Sequence, residues 1–338
     1  MYNLNSHYEN IANLANSIIA GSRVVYLHPF GATQPENIES LDRGDGSQPI
    51  ILAYDQEPID AHYNSYLVEN VLDNFMDEWG FRKKSIILIS TEKRGKEKDT
   101  LCKKFNLVDV NYFFHGACAS DWYRGYKFDA GITNPSQRKL TKKFITFNRI
   151  TGNSRIYRTV LMAKLSAKGL LDDAYASFSP VCPVHGTHYQ DSLRKDGHKF
   201  GINADQAKQL IGGLNQIEYP CRIDNKDSDN IPNQSFSIGP LQELMSSFLH
   251  VVTETMFWDD RTHLTEKIFK PIVAKQPFVL VGCYKNLEYL KSYGFKTFDR
   301  WWSEDYDNIA DPHQRLDAVV DVIEKICKLS LGDLEDML

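Results

Sequence analysis

A glutamate and a group of basic side chains are spaced so that they could bind a ligand carrying both hydroxyls and phosphates. Glu254 follows an apolar run of strand length, 248–252, and Lys267 and Lys270 lie on one predicted helix face together with His263. A carboxylate accepts hydrogen bonds from hydroxyls, whereas lysines and a helix N-terminus attract phosphate. Each residue taken singly also fits an ordinary solvated surface, so the hypothesis depends on all of them lying at one crevice.

The surrounding sequence predicts the elements that would bring these side chains together. Apolar residues recur at every fourth position, at Leu264, Ile268 and Ile272, and predict a helix. Pro271 is expected to kink or end this helix near its last turn. Apolar runs at 248–252 and 277–281 predict a strand on either side of it. A strand–helix–strand unit requires a parallel sheet, whose strands deliver residues such as Thr253 and Glu254 to a ligand-binding crevice.

Two further strand ends carry residues that could do chemistry. Asp55 and Glu57 follow the predicted strand 50–54, and Pro58 biases Glu57 toward an extended conformation. Either carboxylate could act as a general base toward an acceptor hydroxyl. A polar strand end followed by a turn is the alternative interpretation.

The other strand end is the segment FNRITGNSRIYR. Asn148 and Arg149 end the predicted strand 144–147, and Arg155 and Arg158 begin the next helix one turn apart. Arginines near a helix N-terminus suit a diphosphate, because the guanidinium group forms paired hydrogen bonds with phosphate oxygens. A pair of solvated arginines is the alternative.

Strands and helices alternate along the chain, which predicts an α/β fold with an open parallel sheet in each half. Two Rossmann-like domains facing across a cleft are the simplest assembly: an N-terminal domain at 1–135, a C-terminal domain at 143–310, and a C-terminal helix within 311–338. The predicted strands are 24–28, 50–54, 85–90, 108–115, 144–147, 175–178, 248–252, 277–281 and GFKTF at 294–298. The predicted helices are 7–20, 66–79, 96–105, 155–171, 204–214, the one containing Leu264, 285–293 and 312–329. The segments 179–201 and 220–240 are predicted to be irregular.

Composition excludes several classes of protein. The 338 residues are 42% hydrophobic and 25% charged, as in a soluble globular protein, and the net charge of −5 provides no overall basic field. The N-terminus lacks the features of a signal peptide, no apolar run approaches the ~20 residues of a membrane span, and six cysteines lie scattered. We therefore expect a cytoplasmic protein without a membrane partner. Neither GxGxxG nor GxxxxGK[ST] occurs, which argues against a dinucleotide fingerprint and a P-loop.

Two patterns raise the question of a metal ion. Cys182, His185 and His188, with Cys221, have an incomplete zinc spacing that also fits an ordinary loop. The DxD triplets at 227–229 and 305–307 stand in polar stretches, not after an apolar strand, and we interpret both as surface loops. No metal ion is expected.

The segment that begins at Glu254, continues through HLTEKIF at 263–269 and ends at the Pro-Phe of 277–278 resembles the donor-binding motif of fucosyltransferase-like glycosyltransferases of the GT-B architecture. That motif has a glutamate at a strand end, a TEK helix and a Pro-Phe/Val strand. With the whole of the two flanking strands, 248–282, the resemblance covers about 35 residues. The FNR…R segment is also similar to the start of the C-terminal domain in related bacterial and phage-encoded chains, whereas the N-terminal half matches only in its α/β alternation.

The resemblance implies a glycosyltransferase that uses a nucleotide-sugar as co-substrate and needs neither metal nor cofactor. The C-terminal domain would bind the donor and the N-terminal domain the acceptor. Glu254 would hold sugar or ribose hydroxyls, and Lys267 with Arg149 or Arg155 would hold the diphosphate. The other implied donor-binding residues are Asn148, His263, Thr265 and Glu266, and Glu57 or Asp55 would be the base.

Chains of this kind also occur in bacteriophages, where glycosyltransferases modify hydroxymethylated pyrimidines in DNA. DNA in a host cytoplasm is therefore one hypothesis for the acceptor, and a bacterial surface glycan is another. Basic clusters at 82–84, 93–98 and 138–143 could contact phosphates, and Trp122, Tyr123 and Tyr126 could support an extruded base. A two-domain protein that binds a nucleotide-sugar without catalysis is the non-enzymatic alternative.

Overall fold

The computed structural model describes residues 4–26, 50–54, 58–59, 86–112, 132–218 and 238–338. These residues form two compact units. The first contains the described residues up to Tyr112 together with residues 261–263, and the second contains the other described residues. Each unit contains a parallel sheet together with helices, which confirms the α/β prediction.

The first unit is built on a four-stranded sheet in the order β1-β2-β3-β4. Its strands are β1 (Arg23–Tyr26), β2 (Ile50–Tyr54), β3 (Ile86–Ser90) and β4 (Leu107–Asn111), and its described helices are α1 (Leu4–Ile18) and α2 (Lys96–Phe105). Ile11 and Ala15 of α1 belong to one buried cluster with apolar residues of β2 and β3. The predicted helix 66–79 and the candidate bases Asp55 and Glu57 lie outside the described residues.

Lys98 shows why a basic run is not always a phosphate-binding surface. Its side chain is fully buried, and its Nζ donates to the carbonyl oxygens of Glu92 (2.7 Å) and Lys93 (2.9 Å) and to Asp109 Oδ2 (2.5 Å). A buried ammonium needs such partners because burial removes its hydration. Of the predicted cluster 93–98, Lys98 therefore stabilises the first unit instead of facing solvent.

The second unit contains a sheet in the order β6-β5-β7-β8. Its strands are β5 (Lys142–Asn148), β6 (Ala174–Phe178), β7 (Ser247–Thr253) and β8 (Phe278–Val281). Every residue of β7 and β8 is buried, as in a parallel sheet covered on both faces. The helices are α3 (Ile156–Ala167), α4 (Ala204–Leu214), α5 (Leu241–Met245), α6 (Glu266–Val273), α7 (Asn286–Ser292), α8 (Pro312–Cys327) and α9 (Leu331–Met337).

The strand order reverses between β5 and β7. The chain passes from β5 to its neighbour β6 on one side, and β7 then pairs with β5 on the other side. In open parallel sheets, ligands bind beyond the carboxyl ends of the strands where the order reverses in this way. The carboxyl ends of β5 and β7 are Asn148 and Thr253, and Glu254 follows directly.

Several predicted elements differ from the structure. Residues 294–298 form no strand: Phe298 N donates to the carboxylate of Glu304 (2.8 Å) instead of to a neighbouring strand, and Thr297 Oγ1 donates to the same carboxylate (2.7 Å). The C-terminal helix is two helices, since Ser330 begins α9 with a capping box. The predicted loop 179–201 contains helical turns at Tyr189–Asp191, Ser192–Asp196 and Gly197–Phe200. The predicted helix 155–171 ends at Ala167, before Gly169 adopts a left-handed conformation (φ 66°).

Adjacent glycines in α4 predict opposite effects of one substitution. A Cβ on Gly213 would lie 2.8 Å from the carbonyl oxygen of Ala163 in α3, whereas a Cβ on Gly212 would meet nothing within 4 Å. We expect Gly213→Ala to lower the free energy of unfolding by about 1–3 kcal/mol through overpacking. Gly212→Ala should raise it by about 0.4–1 kcal/mol, because alanine restricts the unfolded chain. Urea denaturation of both variants tests the pair, and equal effects would contradict the close approach of α3 and α4.

Candidate functional site

A side-chain hydrogen bond joins the ends of β5 and β7: Thr253 Oγ1 donates to the carbonyl oxygen of Phe147 (3.0 Å). Within β5, the fully buried Asn148 donates from Nδ2 to Thr146 Oγ1 (3.3 Å). The Oδ1 atom of Asn148 accepts no hydrogen bond from any residue that the structure describes. This edge of the sheet therefore contains a buried acceptor that has no donor among the described residues.

Glu254 is fully buried and connects the end of β7 to the beginning of α6. Its Oε1 accepts from Thr265 N (3.2 Å), and its Oε2 accepts from Thr265 Oγ1 (2.5 Å) and Thr255 N (3.3 Å). Thr265 is also the N-cap of α6, because its side chain accepts from Lys267 N. One carboxylate thus fixes where α6 begins.

Lys267 is the half-exposed cation of this cluster, with 31% of its side chain accessible. Its Nζ lies 3.0 Å from Glu266 Oε1, 3.2 Å from Thr265 Oγ1 and 3.4 Å from Thr255 Oγ1. Glu254, Glu266, Thr265 and Lys267, four of the predicted donor-binding residues, therefore lie together. The donor-binding role itself stays a prediction.

Burial raises the pKa of Glu254, and the positive charge of Lys267 and the hydrogen bonds from Thr265 only partly oppose that effect. The folded protein consequently holds the proton on Glu254 more tightly than the unfolded chain does. The contribution of Glu254 to stability is therefore greatest at low pH and decreases as pH rises from the unfolded pKa through the raised folded pKa.

This direction predicts how Glu254→Gln changes stability with pH. Glutamine cannot titrate, so the wild-type melting temperature minus that of the variant should decrease as pH rises from about 4 to 8. We also expect the free energy of unfolding of Glu254→Gln to be lower by a constant ~1–3 kcal/mol at every pH, because the glutamine amide would point a donor at Thr265 N or Thr255 N. Thermal melts in a series of buffers measure both. A difference that grows with pH would contradict the raised pKa.

Arg158 and Tyr157 brace the same strand end from α3. The guanidinium of the buried Arg158 donates to the carbonyl oxygens of Ile150 (3.0 Å), Thr253 (3.1 Å) and Glu254 (2.8 Å), and the Tyr157 hydroxyl also donates to the Glu254 carbonyl. The guanidinium group of Arg158 is therefore hydrogen-bonded to backbone carbonyls and does not face a phosphate site. Tyr157 stacks on the ring of Phe257 at 4.5 Å between centroids, and burial raises the pKa of its hydroxyl.

The other predicted arginines have different surroundings. Arg155 is half-buried at the N-cap position of α3 and forms no ion pair with any described residue. Arg149 is exposed directly after β5. Arg155 is therefore the better-placed candidate for an anion, and its charge, after burial, is the second cause that lowers the pKa of His185.

The prediction that His263 shares a helix face with Lys267 and Lys270 is wrong. The helix begins at Glu266 because Thr265 caps it, so His263 lies outside it. Residues 261–263 group instead with the first unit, where Thr262 N donates to Arg94 O (2.8 Å) and Lys93 N to Thr262 O (2.9 Å). His263 is buried there.

No family model, curated protein or solved structure matches this chain.

The remaining metal candidates can be placed in part. His188 Nδ1 accepts from Gln190 N, His185 Nε2 lies 3.4 Å from Asn153 Nδ2, and Cys221 lies outside the described residues. No group of three His, Cys, Asp or Glu side chains within the described ranges could hold a metal ion. Asp307 is not on a surface loop: it is buried, and its carboxylate accepts from Leu287 N and Glu288 N of α7 (both 2.9 Å).

Two residues of the cluster escaped the sequence analysis. Thr255 contributes a backbone donor to Glu254 and a hydroxyl near Lys267, and Tyr157 ties α3 to the end of β7. The only local signal for Thr255 is its position after Glu254 in the TET triplet at 253–255.

No helix within the described residues is long and apolar enough to cross a membrane.

Proposed function

We propose that the protein is a glycosyltransferase that binds a nucleotide-sugar at the carboxyl ends of β5 and β7 and transfers the sugar to an acceptor hydroxyl. The cluster of Glu254, Thr265 and Lys267 where the strand order reverses carries the proposal. The cluster combines a partly exposed ammonium with a carboxylate and hydroxyls. A ligand that has both phosphates and hydroxyls needs this combination.

In this proposal, Lys267 and Arg155 bind the diphosphate. Negative charge develops on the diphosphate as the bond to the sugar breaks, and fixed cations stabilise that charge. Glu254 is fully buried and accepts three hydrogen bonds from the protein, so in this proposal it positions Thr265 and Lys267 and can accept from one ligand hydroxyl only when it is ionised and the ligand reaches the strand end. Asn148 Oδ1 offers a second acceptor.

The acceptor side of the proposal rests on the sequence. Glu57 or Asp55 would take the proton of the acceptor hydroxyl, and the two units would face one another across a cleft. The resemblance of residues 248–282 to metal-independent enzymes implies that no metal ion takes part. A hydroxymethylated pyrimidine in DNA is the acceptor we propose to test first, with a bacterial glycan as the alternative.

Thermal shift against nucleoside diphosphates and nucleotide-sugars in the presence of EDTA tests the donor site. One nucleotide should raise the melting temperature, and the rise should grow along a titration. Release of the nucleoside diphosphate, measured with plain and with hydroxymethylated DNA, then separates a transferase from a protein that only binds. A ligand that binds without release supports the non-catalytic alternative. No shift with any nucleotide contradicts the proposal.

A further inference from the structure

A concavity of about 540 Å³ lies beside α7 and is lined by residues within 291–301. Three aromatic side chains on it are half-buried, so each ring has one accessible part: Phe295, Phe298 and Trp301. Its volume lies in the range of sites for small ligands. We call this the aromatic-cationic surface, and it is separate from the Glu254 cluster in its residues.

The rings are held by packing from behind. Phe298 stacks on Trp301 (centroids 5.6 Å apart, planes at 26°) and on Trp302 (5.3 Å, 24°), and it meets Phe278 of β8 edge to face at 5.1 Å. Trp302 is buried. The accessible rings therefore form a platform that is already rigid before a ligand arrives, which lowers the entropic cost of binding.

The cations of this surface are incompletely neutralised. Lys291 pairs with Glu304 (2.9 Å) and Asp299 (3.4 Å). Lys296 and Arg300 are exposed, and neither forms an ion pair with any residue in the described part of the chain. Arg300 instead places its guanidinium 4.5 Å from the ring centroid of Trp301. This stacking orients the guanidinium fork while leaving its donors available for an anion.

We infer that the aromatic-cationic surface binds single-stranded nucleic acid, with a base packed against the accessible parts of the Phe295, Phe298 and Trp301 rings and backbone phosphates on Lys296 and Arg300. Aromatic platforms flanked by cations bind single strands without needing base-specific contacts. A neutral glycan could stack on the ring but would leave both cations without a partner, so the charge favours the polyanion. Because the net charge is −5, the attraction must come from this local surface.

The basic clusters at the N-terminal edge of the second unit do not offer an equal surface. Arg138 is buried and donates to the carbonyl oxygens of Thr133 (2.9 Å) and Lys275 (3.2 Å), and Lys143 pairs with Asp173 (3.0 Å). Intramolecular hydrogen bonds and ion pairs therefore already engage several of the basic side chains at 138–143. The inference stands independently of sugar transfer, since binding is measured with no nucleotide-sugar present.

Fluorescence anisotropy with a labelled 12-nucleotide oligothymidylate tests the charge contribution. We expect saturable binding at 50 mM NaCl whose logarithmic affinity falls linearly with the logarithm of salt concentration. K296Q/R300Q should weaken binding by about tenfold or more and reduce the magnitude of the salt slope by about 1.4, or ~0.7 for each lost phosphate contact. Lys208→Gln, at an exposed lysine of α4, is the control for loss of a positive charge elsewhere on the surface and should leave both values unchanged.

Trp301→Leu tests the stacking contribution separately. Leucine keeps an apolar side chain but provides no ring, so the affinity should fall by about fivefold or more while the salt slope is unchanged. Thermal melts verify that each variant is folded, and if Trp301→Leu is not, the double charge variant decides the question. The inference is overturned if the wild type does not bind the oligonucleotide, or if K296Q/R300Q binds like Lys208→Gln. It is also overturned if the surface prefers a neutral hexasaccharide, binds it independently of salt, and loses that binding in Trp301→Leu.

Discussion

Lys267→Gln is expected to weaken binding of the nucleoside diphosphate by about tenfold to a hundredfold, which corresponds to the ~1.5–3 kcal/mol of a hydrogen bond to a charged group. The ammonium is the partly exposed cation of the Glu254 cluster, and glutamine keeps most of the side-chain length without the charge. Titration calorimetry with the diphosphate and with the corresponding monophosphate measures the effect. The loss should be larger for the diphosphate, because the charge of the second phosphate adds to the attraction.

The fold should largely survive this substitution. The ion pair of Lys267 with Glu266 is partly exposed, and such pairs contribute at most about 1 kcal/mol. Lys325→Gln replaces an exposed lysine of α8 and is the matched control for the loss of one charge. Equal affinity of Lys267→Gln and wild type for the diphosphate would show that the donor site lies elsewhere.

Arg315→Met is expected to lower the free energy of unfolding by about 3–5 kcal/mol, the largest effect on stability that we predict. The buried guanidinium donates to the carbonyl oxygens of Gly282 (3.2 Å), Ile309 (2.7 Å), Ala310 (3.0 Å) and Phe257 and lies over the Phe257 ring. Methionine fills much of the volume but leaves these acceptors without donors. Burial removes hydration from the guanidinium and lowers the pKa of Arg315. The hydrogen bonds to the four carbonyl oxygens offset this loss of hydration.

Differential scanning calorimetry should show a melting temperature roughly 6–20 °C lower for Arg315→Met. Arg315→Lys should fall between the variant and wild type, because an ammonium keeps the charge but cannot reach every acceptor of the planar fork. Arg194→Met, an exposed arginine in the helical segment before α4, controls for the loss of an arginine. A change of less than about 2 °C in Arg315→Met would contradict the role assigned to these hydrogen bonds.

Local sequence signals predicted many of the described elements closely. The apolar run 50–54 and the helix 96–105 have the observed bounds. The strand predicted at 277–281 differs by one residue at its start, and the strand predicted at 248–252 differs by one residue at each end. These elements are defined by their own periodicity. The strand predicted at 294–298 is not formed, because the carboxylate of Glu304, six residues after Phe298 and outside the apolar pattern, accepts the hydrogen bond that Phe298 N would donate to a partner strand.

The candidate site could be predicted only in part, for a similar reason. The sequence indicated that Glu254 and Lys267 belong together, because a single strand–helix connection joins them. It did not indicate that Arg158 binds the carbonyl of Glu254, since that contact depends on β5 pairing with β7, about 100 residues later in the chain. The helix start was misplaced because Thr265, a weak signal in sequence, is fixed by a buried carboxylate.

The grouping of residues 261–263 with the first unit has a consequence for synthesis on the ribosome. Arg261 donates to the carbonyl oxygen of Ile59 (2.9 Å) and pairs with Glu97 (3.3 Å), so the first unit obtains part of its own structure from a much later segment. About 150 residues separate that segment from Tyr112, which corresponds to roughly 8–30 s of translation at ~5–20 residues per second. During this time the first unit lacks its contacts with residues 261–263, while most of the chain of the second unit is synthesised.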